Sequence, residues 1–244
     1  MANASELVWV AGVGASQGLG AALARRFARE GYTAVVSGRS EDKLRVVVDE
    51  IVSAGGRALA LRADAAKEAE VHAAAQRVAE QGSLAVAIFN AAHMVIGPSL
   101  ELKAADVEAA LAGNALGGFL FGRAALQQLV PQGRGTVLFT GATGSLRGKP
   151  PFGAFAAGKA ALRSLSQTFA REFGPRGIHV AHVVIDGGID GERVRKLAPD
   201  RLAQRGPDGL LNIDAIAEAY YQLHVQPRSA WTQELDLRPY NESF

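Results

Sequence analysis

The chain has 244 residues, 48% of them hydrophobic and 20% charged, which suits one well-packed α/β domain over residues 1–244 and excludes a disordered chain. The 26 basic residues barely outnumber the 24 acidic ones and are scattered, so we expect no nucleic-acid partner. Disulfides and thiolate metal sites are excluded because there is no cysteine, and the five histidines lack metal-ligand spacing, so we expect no metal.

The amino end favours the cytoplasm, because it has no basic region and the apolar run Leu7 to Ala11 is too short for a signal peptide. The least charged stretch, Gly82 to Leu100, is interrupted by His93, Gly97 and Pro98. It predicts a buried strand and its loop, so we expect no membrane span.

Apolar strand-like runs alternate with segments of helical periodicity along most of the chain. This alternation predicts a doubly wound Rossmann fold, a mostly parallel sheet of about seven strands with helices on both faces. The predicted strands are Leu7 to Val13, Thr33 to Ser37, Ala58 to Ala63, Ala85 to Asn90, Thr136 to Thr140, His179 to Ile185 and Glu234 to Leu237. The predicted helices are Gly20 to Glu30, Ser40 to Ala54, Lys67 to Gln81, Ala104 to Val130, Ala154 to Phe173 and Asp214 to His224.

Three features punctuate the carboxyl-terminal part. Pro175 and Gly177 are expected to close the preceding long helix, and Asp214 to cap a short one. Between them, Asp190 to Leu211 is rich in Arg, Asp, Gly and Pro and follows a strand. Because open α/β sheets bind ligands beyond the carboxyl ends of their strands, we interpret this segment as a mobile lid for a small-molecule substrate; the alternative is a solvated surface loop.

A glycine-rich loop, Gly14-Ala15-Ser16-Gln17-Gly18-Leu19-Gly20, follows the first strand and opens the first helix, with a further glycine at Gly12. Glycines let the chain turn sharply and let backbone amides reach a pyrophosphate at a helix N-terminus. We therefore predict a dinucleotide site; the alternative is a tight turn with only a structural role. The loop residues assigned to the cofactor are Gly14, Ser16, Gln17, Gly18, Leu19 and Gly20.

The second strand ends in Ser37-Gly38-Arg39-Ser40, where NAD-binding sites carry an acid that holds the adenine ribose. Here that acid is missing and a guanidinium is present. Arg39 can pair with a 2′-phosphate, so we predict NADP(H) over NAD(H); the alternative is an ordinary surface arginine.

In order and spacing, these motifs resemble the short-chain dehydrogenase/reductase family over almost the whole chain. Besides the glycine loop, the matching segments are Arg62-Ala63-Asp64-Ala65, Phe89-Asn90-Ala91-Ala92, Leu111-Ala112-Gly113-Asn114, Lys159, and Ile185-Asp186-Gly187-Gly188-Ile189. The resemblance implies that Asp64 contacts the adenine and that Asn90, Ala91, Gly187 and Ile189 line the cofactor site. It also implies that Asn114 and Lys159 belong to the catalytic set, with Asp186 replacing the proline of the family's turn beside the nicotinamide.

Two hydroxyls that the family uses are absent. The tyrosine that protonates the substrate carbonyl, four residues before the lysine, is replaced by Phe155, and the serine that steadies the carbonyl oxygen is replaced by Ala142. Lys159 retains the role of holding the nicotinamide ribose. Loss of a positioned acid costs about 10²- to 10⁴-fold in rate, which slows hydride transfer but does not abolish it.

Another proton source is then required. A water relay held by Asn114 and Lys159 uses only retained groups, and we favour it. The alternatives are the imidazole of His93 and the hydroxyls of Thr143 and Ser145, although such loop hydroxyls more often bond backbone.

Three functions are compatible with this pattern. The first is an atypical NADP(H)-dependent oxidoreductase acting on a small carbonyl or alcohol, the second a catalytically inactive dinucleotide-binding sensor or regulatory subunit, and the third an interaction protein that has lost the cofactor. Small residues on the helix that begins near Phe155 predict a homodimer or homotetramer, as the family resemblance implies. Trp231 and Tyr240 are candidates for a further interface or for the pocket wall.

Overall fold

The computed structural model describes residues 6–197, 200 and 204–242 and confirms the doubly wound fold. Within these residues, a parallel sheet of seven strands has the order β3-β2-β1-β4-β5-β6-β9, and β7 and β8 form a separate two-stranded sheet. The strands are β1 (Leu7–Ala11), β2 (Thr33–Gly38), β3 (Arg57–Arg62), β4 (Leu84–Phe89), β5 (Gly135–Thr140), β6 (Ile178–Ile185), β7 (Ile189–Asp190), β8 (Leu211–Asn212) and β9 (Glu234–Leu237).

Helices cover both faces of the main sheet. The helices with described bounds are α1 (Leu19–Arg29), α2 (Glu41–Ser53), α3 (Glu68–Gln81), α4 (Ala104–Leu111), α5 (Gly117–Leu129), α6 (Gly153–Phe173), α7 (Glu192–Leu197) and α8 (Ile213–His224). Two hydrophobic clusters result, one under α1, α2 and α8 and the other under α3, α5 and α6. Because both faces are covered, β4 and β6 are buried along their whole length; β4 is an unbroken apolar run, and β6 is apolar except for His179 and His182.

The predicted helix from Ala104 to Val130 is interrupted. A π-helical turn, Ala112–Leu116, separates α4 from α5 and contains Asn114. Such turns insert an extra residue into a helix and are frequent at functional sites. By length and composition alone, Ala104–Gln132 is apolar enough to cross a membrane, but 56% of its most apolar window is buried inside the fold, as in a core helix.

The expected cap of α8 is wrong by two residues. The N-cap is Asn212, whose side-chain oxygen accepts hydrogen bonds from the amides of Asp214 (2.9 Å) and Ala215 (3.0 Å). Asp214 instead lies in the first turn, where its negative charge favours the helix dipole. The expected end of α6 is confirmed, since a short 3₁₀ turn with Pro175 follows Phe173 and Gly177 adopts a left-handed φ of 85°.

The predicted lid from Asp190 to Leu211 is tied down at both ends. Ile189 pairs with Leu211 and Asp190 with Asn212, and the backbone amide of Glu192 donates to the carbonyl of Gln17 at 2.8 Å. The start of this segment therefore lies on the glycine loop. Residues 198–199 and 201–203 of the predicted lid lie outside the described residues, and its mobility stays a prediction.

The small residues of α6 point in two directions. Ala156 and Gly158 are buried against neighbouring elements of the same chain, whereas Ala157 and Ala160 are exposed. Only the exposed part is available to a second copy of the chain, and self-association stays a prediction. Trp231 stacks on His179 with a centroid distance of 4.9 Å, and Tyr240 is 82% exposed.

Candidate functional site

The glycine loop lies at the carboxyl end of β1, and its glycines have different roles. Gly12 has a φ of 83°, and a Cβ added there would lie 2.3 Å from the amide nitrogen of Ala91, so no other residue fits. Asn90 reinforces this contact by donating from Nδ2 to the carbonyl of Gly12 at 3.2 Å. A Cβ at Gly14 would instead meet no atom within 4 Å. Gly12 therefore serves the fold, whereas Gly14 leaves room for a ligand.

The other loop residues are fixed by the protein itself. The hydroxyl of Ser16 donates to Glu50 at 2.5 Å, and Arg25 bonds both Glu50 (3.0 Å) and the carbonyl of Ser16 (3.1 Å). Gly18 is the N-cap of α1, and Leu19 is buried in the core. Gln17 is exposed and offers its backbone to the lid segment as described above. Through these contacts the loop is positioned by the protein's own residues.

A cleft of about 460 Å³ opens beside this loop. Gly14, Ala91, His93, Arg39 and Asp64 all line it. Ser40 and Lys43 line it too, so two cations contribute to the cleft, Arg39 just before α2 and Lys43 in the first turn of that helix. Sequence reasoning missed Lys43, although its spacing of four residues from Arg39 at the start of a helix was a usable signal.

Asp64 is oriented by its own loop. Its backbone amide donates to Glu70 at 2.8 Å, and its Oδ1 accepts from the amide of Ala66 at 3.1 Å. The residue is half-buried and lines the cleft. This placement is compatible with a contact to an adenine amino group.

Lys159 lies on the inner face of α6 and is 2% exposed. Its Nζ donates to the carbonyl of Thr140, at the carboxyl end of β5, over 2.8 Å. Burial lowers the pKa of Lys159 from 10.5 to about 7, because the charged ammonium is removed from water. One turn earlier, Phe155 is also buried, with its ring centroid 5.8 Å from Nζ.

Asn114 is fully buried and joins α4 to the loop after β4. Its Nδ2 donates to the carbonyls of Ala110 (2.7 Å) and His93 (2.8 Å), while the amide of His93 approaches its Oδ1 at 3.4 Å. Both amide hydrogens are thus used by the backbone, and only Oδ1 retains capacity for a further hydrogen bond. The imidazole of His93 is half-buried and lines the cleft.

Both hydroxyls near Ala142 make contacts within the protein. Ser145 is buried and its Oγ accepts from the amide of Ala142 at 3.1 Å, while Thr143 donates to a carboxylate oxygen of Asp186 at 2.6 Å. The expectation that these hydroxyls bond loop backbone is borne out for Ser145, whereas Thr143 bonds a side chain in the loop after β6.

Asp186 directly follows β6, is 1% exposed, and is held by several donors. Arg147 bonds both of its carboxylate oxygens, at 3.1 and 3.2 Å, and Arg238 lies 3.4 Å away. Although burial opposes ionisation, the bonds from Thr143 and Arg147 hold the pKa of Asp186 below its ordinary value. The carboxylate therefore stays ionised and ties together the loops around the expected nicotinamide position. Sequence reasoning had noted the missing proline but not Arg147.

Gly187, which directly follows Asp186, allows close packing in the same loop. A Cβ at Gly187, whose φ is 156°, would lie 2.8 Å from Pro239, and Ile189 begins the strand pair that anchors the lid segment.

Taken together, the residues fit a dinucleotide. The open space at Gly14 lies at the amino end of a helix, and Arg39 and Lys43 line the same cleft. The candidate catalytic groups Asn114, Phe155 and Lys159 meet at the carboxyl ends of β4 and β5 but do not themselves line the described cleft.

Comparison with known proteins agrees with this geometry. The family model for short chain dehydrogenase matches residues 8–202. Glucose 1-dehydrogenase of Gluconobacter oxydans (strain 621H) is 34% identical over 180 residues, which are 72% of this chain and 67% of that protein. A solved short-chain dehydrogenase from Rhodopseudomonas palustris is 38% identical, with a TM-score of 0.81 over 96% of this chain and 99% of that one. A short-chain dehydrogenase from Burkholderia cenocepacia J2315 in complex with NADP is 29% identical, with a TM-score of 0.84 over 96% of each chain.

The protein is thus built as an oxidoreductase of the nicotinamide-dependent type. The chain belongs to the short-chain dehydrogenase family.

Proposed function

We propose that the protein is an NADP(H)-dependent oxidoreductase that interconverts a small carbonyl compound and its alcohol, with Lys159 as the source of the proton. The observation that carries this proposal is the combination of an open phosphate cradle at Gly14 with a fully buried lysine at the end of the neighbouring strands. Burying an ammonium costs solvation free energy, so a lysine without a function would be expected at the surface.

The preference for NADP(H) is supported by charge. Arg39 and Lys43 line the cleft beside the end of β2, where a 2′-phosphate would need cations, and no acid stands in the Ser37–Ser40 turn to hold a free ribose hydroxyl. The relative that was solved with NADP supports the same preference.

The proton chemistry rests on Lys159. When bound, NADPH supplies the hydride to the carbonyl carbon. An ammonium whose pKa is about 7 is a suitable acid near neutral pH, because a substantial fraction of it is protonated and its proton is readily transferred. Lys159 would donate that proton to the carbonyl oxygen, either directly or through a water that donates a hydrogen bond to Oδ1 of Asn114. The lysine would then be left as a neutral amine.

A dinucleotide-binding subunit without turnover is the second candidate, and specific contacts favour it. The ring of Phe155 gives an apolar wall beside Lys159, and the hydroxyls of Thr143 and Ser145 are already engaged. Such a protein would bind NADPH as tightly but would transfer no hydride.

Wild-type turnover separates the two candidates. Calorimetry with NADPH and NADH would first establish binding, and stopped-flow oxidation of NADPH would then be followed across a panel of small ketones, aldehydes and enones. We expect measurable turnover in the wild type and its loss in Lys159→Met. NADPH binding with no product from any substrate would overturn the oxidoreductase in favour of the binding subunit.

The double variant Phe155→Tyr with Ala142→Ser provides the matched positive control. Restoring a positioned phenol and hydroxyl should raise kcat by about 10²- to 10⁴-fold. The cytoplasmic location and a homodimeric or homotetrameric assembly through the exposed side of α6 also remain proposals, the second testable by light scattering of the purified protein.

A further inference from the structure

His182 is an ionisable residue in the middle of β6, whose other residues are apolar except His179. It is completely buried in β6, opposite Phe139 of β5, on the face of the sheet that α6 covers. A Cβ added to Gly141 would lie 2.3 Å from its Nε2, so the ring occupies the space that this glycine leaves open. The imidazole therefore packs against the backbone at the carboxyl end of β5, close to the site.

The other side of the ring is fixed by a carboxylate. Nδ1 of His182 lies 3.0 Å from an oxygen of Glu234 on β9. Arg163 donates a hydrogen bond to each carboxylate oxygen of Glu234, both at 2.6 Å. A carboxylate held in this way accepts a hydrogen bond, so Nδ1 carries the proton and Nε2 carries the lone pair. Glu234 thus orients the imidazole in the way that a third group orients the base in many catalytic sites.

Nε2 is a buried acceptor without a protein partner among the described residues. Unpaired buried polar atoms are uncommon in folded proteins, and each one calls for a physical reason. Lys159 donates to the carbonyl of Thr140, the residue before Gly141, so the lysine and Nε2 lie against consecutive residues at the end of β5. Arg163 follows Lys159 by one helical turn on α6, and the charges of both residues act on this imidazole.

The groups that face His182 are few. They are Glu234 on β9, Lys159 and Arg163 on α6, and the hydroxyl of Ser145 across Gly141. Burial chiefly, with repulsion from Lys159 and Arg163, lowers the pKa of His182 to about 4 despite Glu234. At neutral pH the imidazole is uncharged and its lone pair is available.

We propose that His182 is a positioning residue for Lys159, whose ammonium donates a hydrogen bond to Nε2 through one water. The bond stabilises the protonated form of Lys159 in a site where no phenol is present to share its proton. The proposal rests on the proposed function for its effect on rate, but not for its effect on the charge of Lys159.

The first test measures that charge without turnover. In protein labelled at the lysine side chains, with the Lys159 signal identified by its loss in Lys159→Met, His182→Phe should lower the pH at which Lys159 titrates. His182→Gln, which retains an acceptor, should return it toward the wild-type value. His179→Phe is the matched control, because His179 is equally buried at the opposite end of the same strand and should leave the titration unchanged.

The second test is the pH profile of carbonyl reduction. A hydrogen bond from a charged donor is worth about 1.5–3 kcal/mol, so His182→Phe should reduce the rate at least about tenfold at pH 8. At pH 5.5 the wild type is almost fully protonated at Lys159 and the variant is partly protonated, so the fold difference in rate should be at least about eight times smaller than at pH 8. A merely structural loss would lower the rate by the same factor at both pH values.

The outcomes are separable. An unchanged titration of Lys159 in folded His182→Phe overturns the proposal. If that variant does not fold, His182→Leu replaces it, and unchanged titration there has the same consequence. A shifted titration with no wild-type turnover supports the role of His182 and refutes only the oxidoreductase function.

Discussion

Replacing Lys159 with methionine should make the protein more stable at neutral pH, although it removes the proposed acid. The folded state holds the lysine in a site where its pKa falls from 10.5 to about 7, so folding at pH 7 requires either a buried charge or the loss of a proton. Because the pKa of Lys159 is lower in the folded than in the unfolded protein, the lysine destabilises the fold at any pH below the unfolded-state pKa. This penalty falls as pH rises from about 7 and has almost disappeared at about 10.5.

The magnitude follows from the same two values. Each tenfold change in proton affinity corresponds to about 1.4 kcal/mol, so the penalty shrinks by about 3 to 4 kcal/mol between pH 7 and pH 10. Methionine has no proton to lose. The difference in unfolding free energy between wild type and Lys159→Met should therefore change by this amount, in favour of the wild type, over that interval.

Urea unfolding followed by circular dichroism at both pH values would measure the difference. The variant also loses the hydrogen bond to Thr140, which costs it about 1–3 kcal/mol at either pH. Because this cost is the same at both pH values, it cancels when the wild-type-minus-variant difference at pH 7 is subtracted from that at pH 10. Lys149→Met is the control, since Lys149 is exposed and should show almost no pH-dependent change. A change below about 1 kcal/mol for Lys159→Met would refute the reasoning that burial controls this lysine.

Three further outcomes are expected. Arg39→Ala should weaken NADPH binding about tenfold or more by calorimetry and leave NADH unchanged, whereas Arg45→Ala on the neighbouring helix α2 should affect neither; equal losses for both cofactors would contradict a 2′-phosphate contact. Gly12→Ala should lower Tm by several degrees, whereas Gly14→Ala should leave Tm unchanged but weaken NADPH binding; the reverse pattern would contradict their assigned roles. Asp186→Asn should lower Tm at pH 7 more than at pH 3, because the stability from the ionised carboxylate is lost as pH falls through its depressed pKa; an equal loss at both values would show that its charge contributes nothing.

The sequence alone determined the architecture of this protein. Strands buried on both faces are mostly apolar, helical segments repeat apolar residues at helical spacing, and the alternation of the two permits few topologies other than a doubly wound parallel sheet. The glycine loop and Arg39 could also be singled out from the sequence, because each follows directly on a predicted strand, and Gly14 and Arg39 both line the cleft. The π turn at Asn114 and the cap at Asn212 were not, since helical periodicity continues through the first and a neighbouring aspartate offers an equally good cap at the second.

Only the tertiary structure decided the chemistry at the end of the sheet. Asp186 meets Arg147 from 39 residues away, and His182 meets Glu234 from 52 residues away, because the parallel register brings the carboxyl ends of distant strands to one edge. The proton affinity of Lys159 likewise depends on how completely α6 and the sheet exclude water from it. Desolvation is a property of the packed fold as a whole, and no local pattern of residues encodes it.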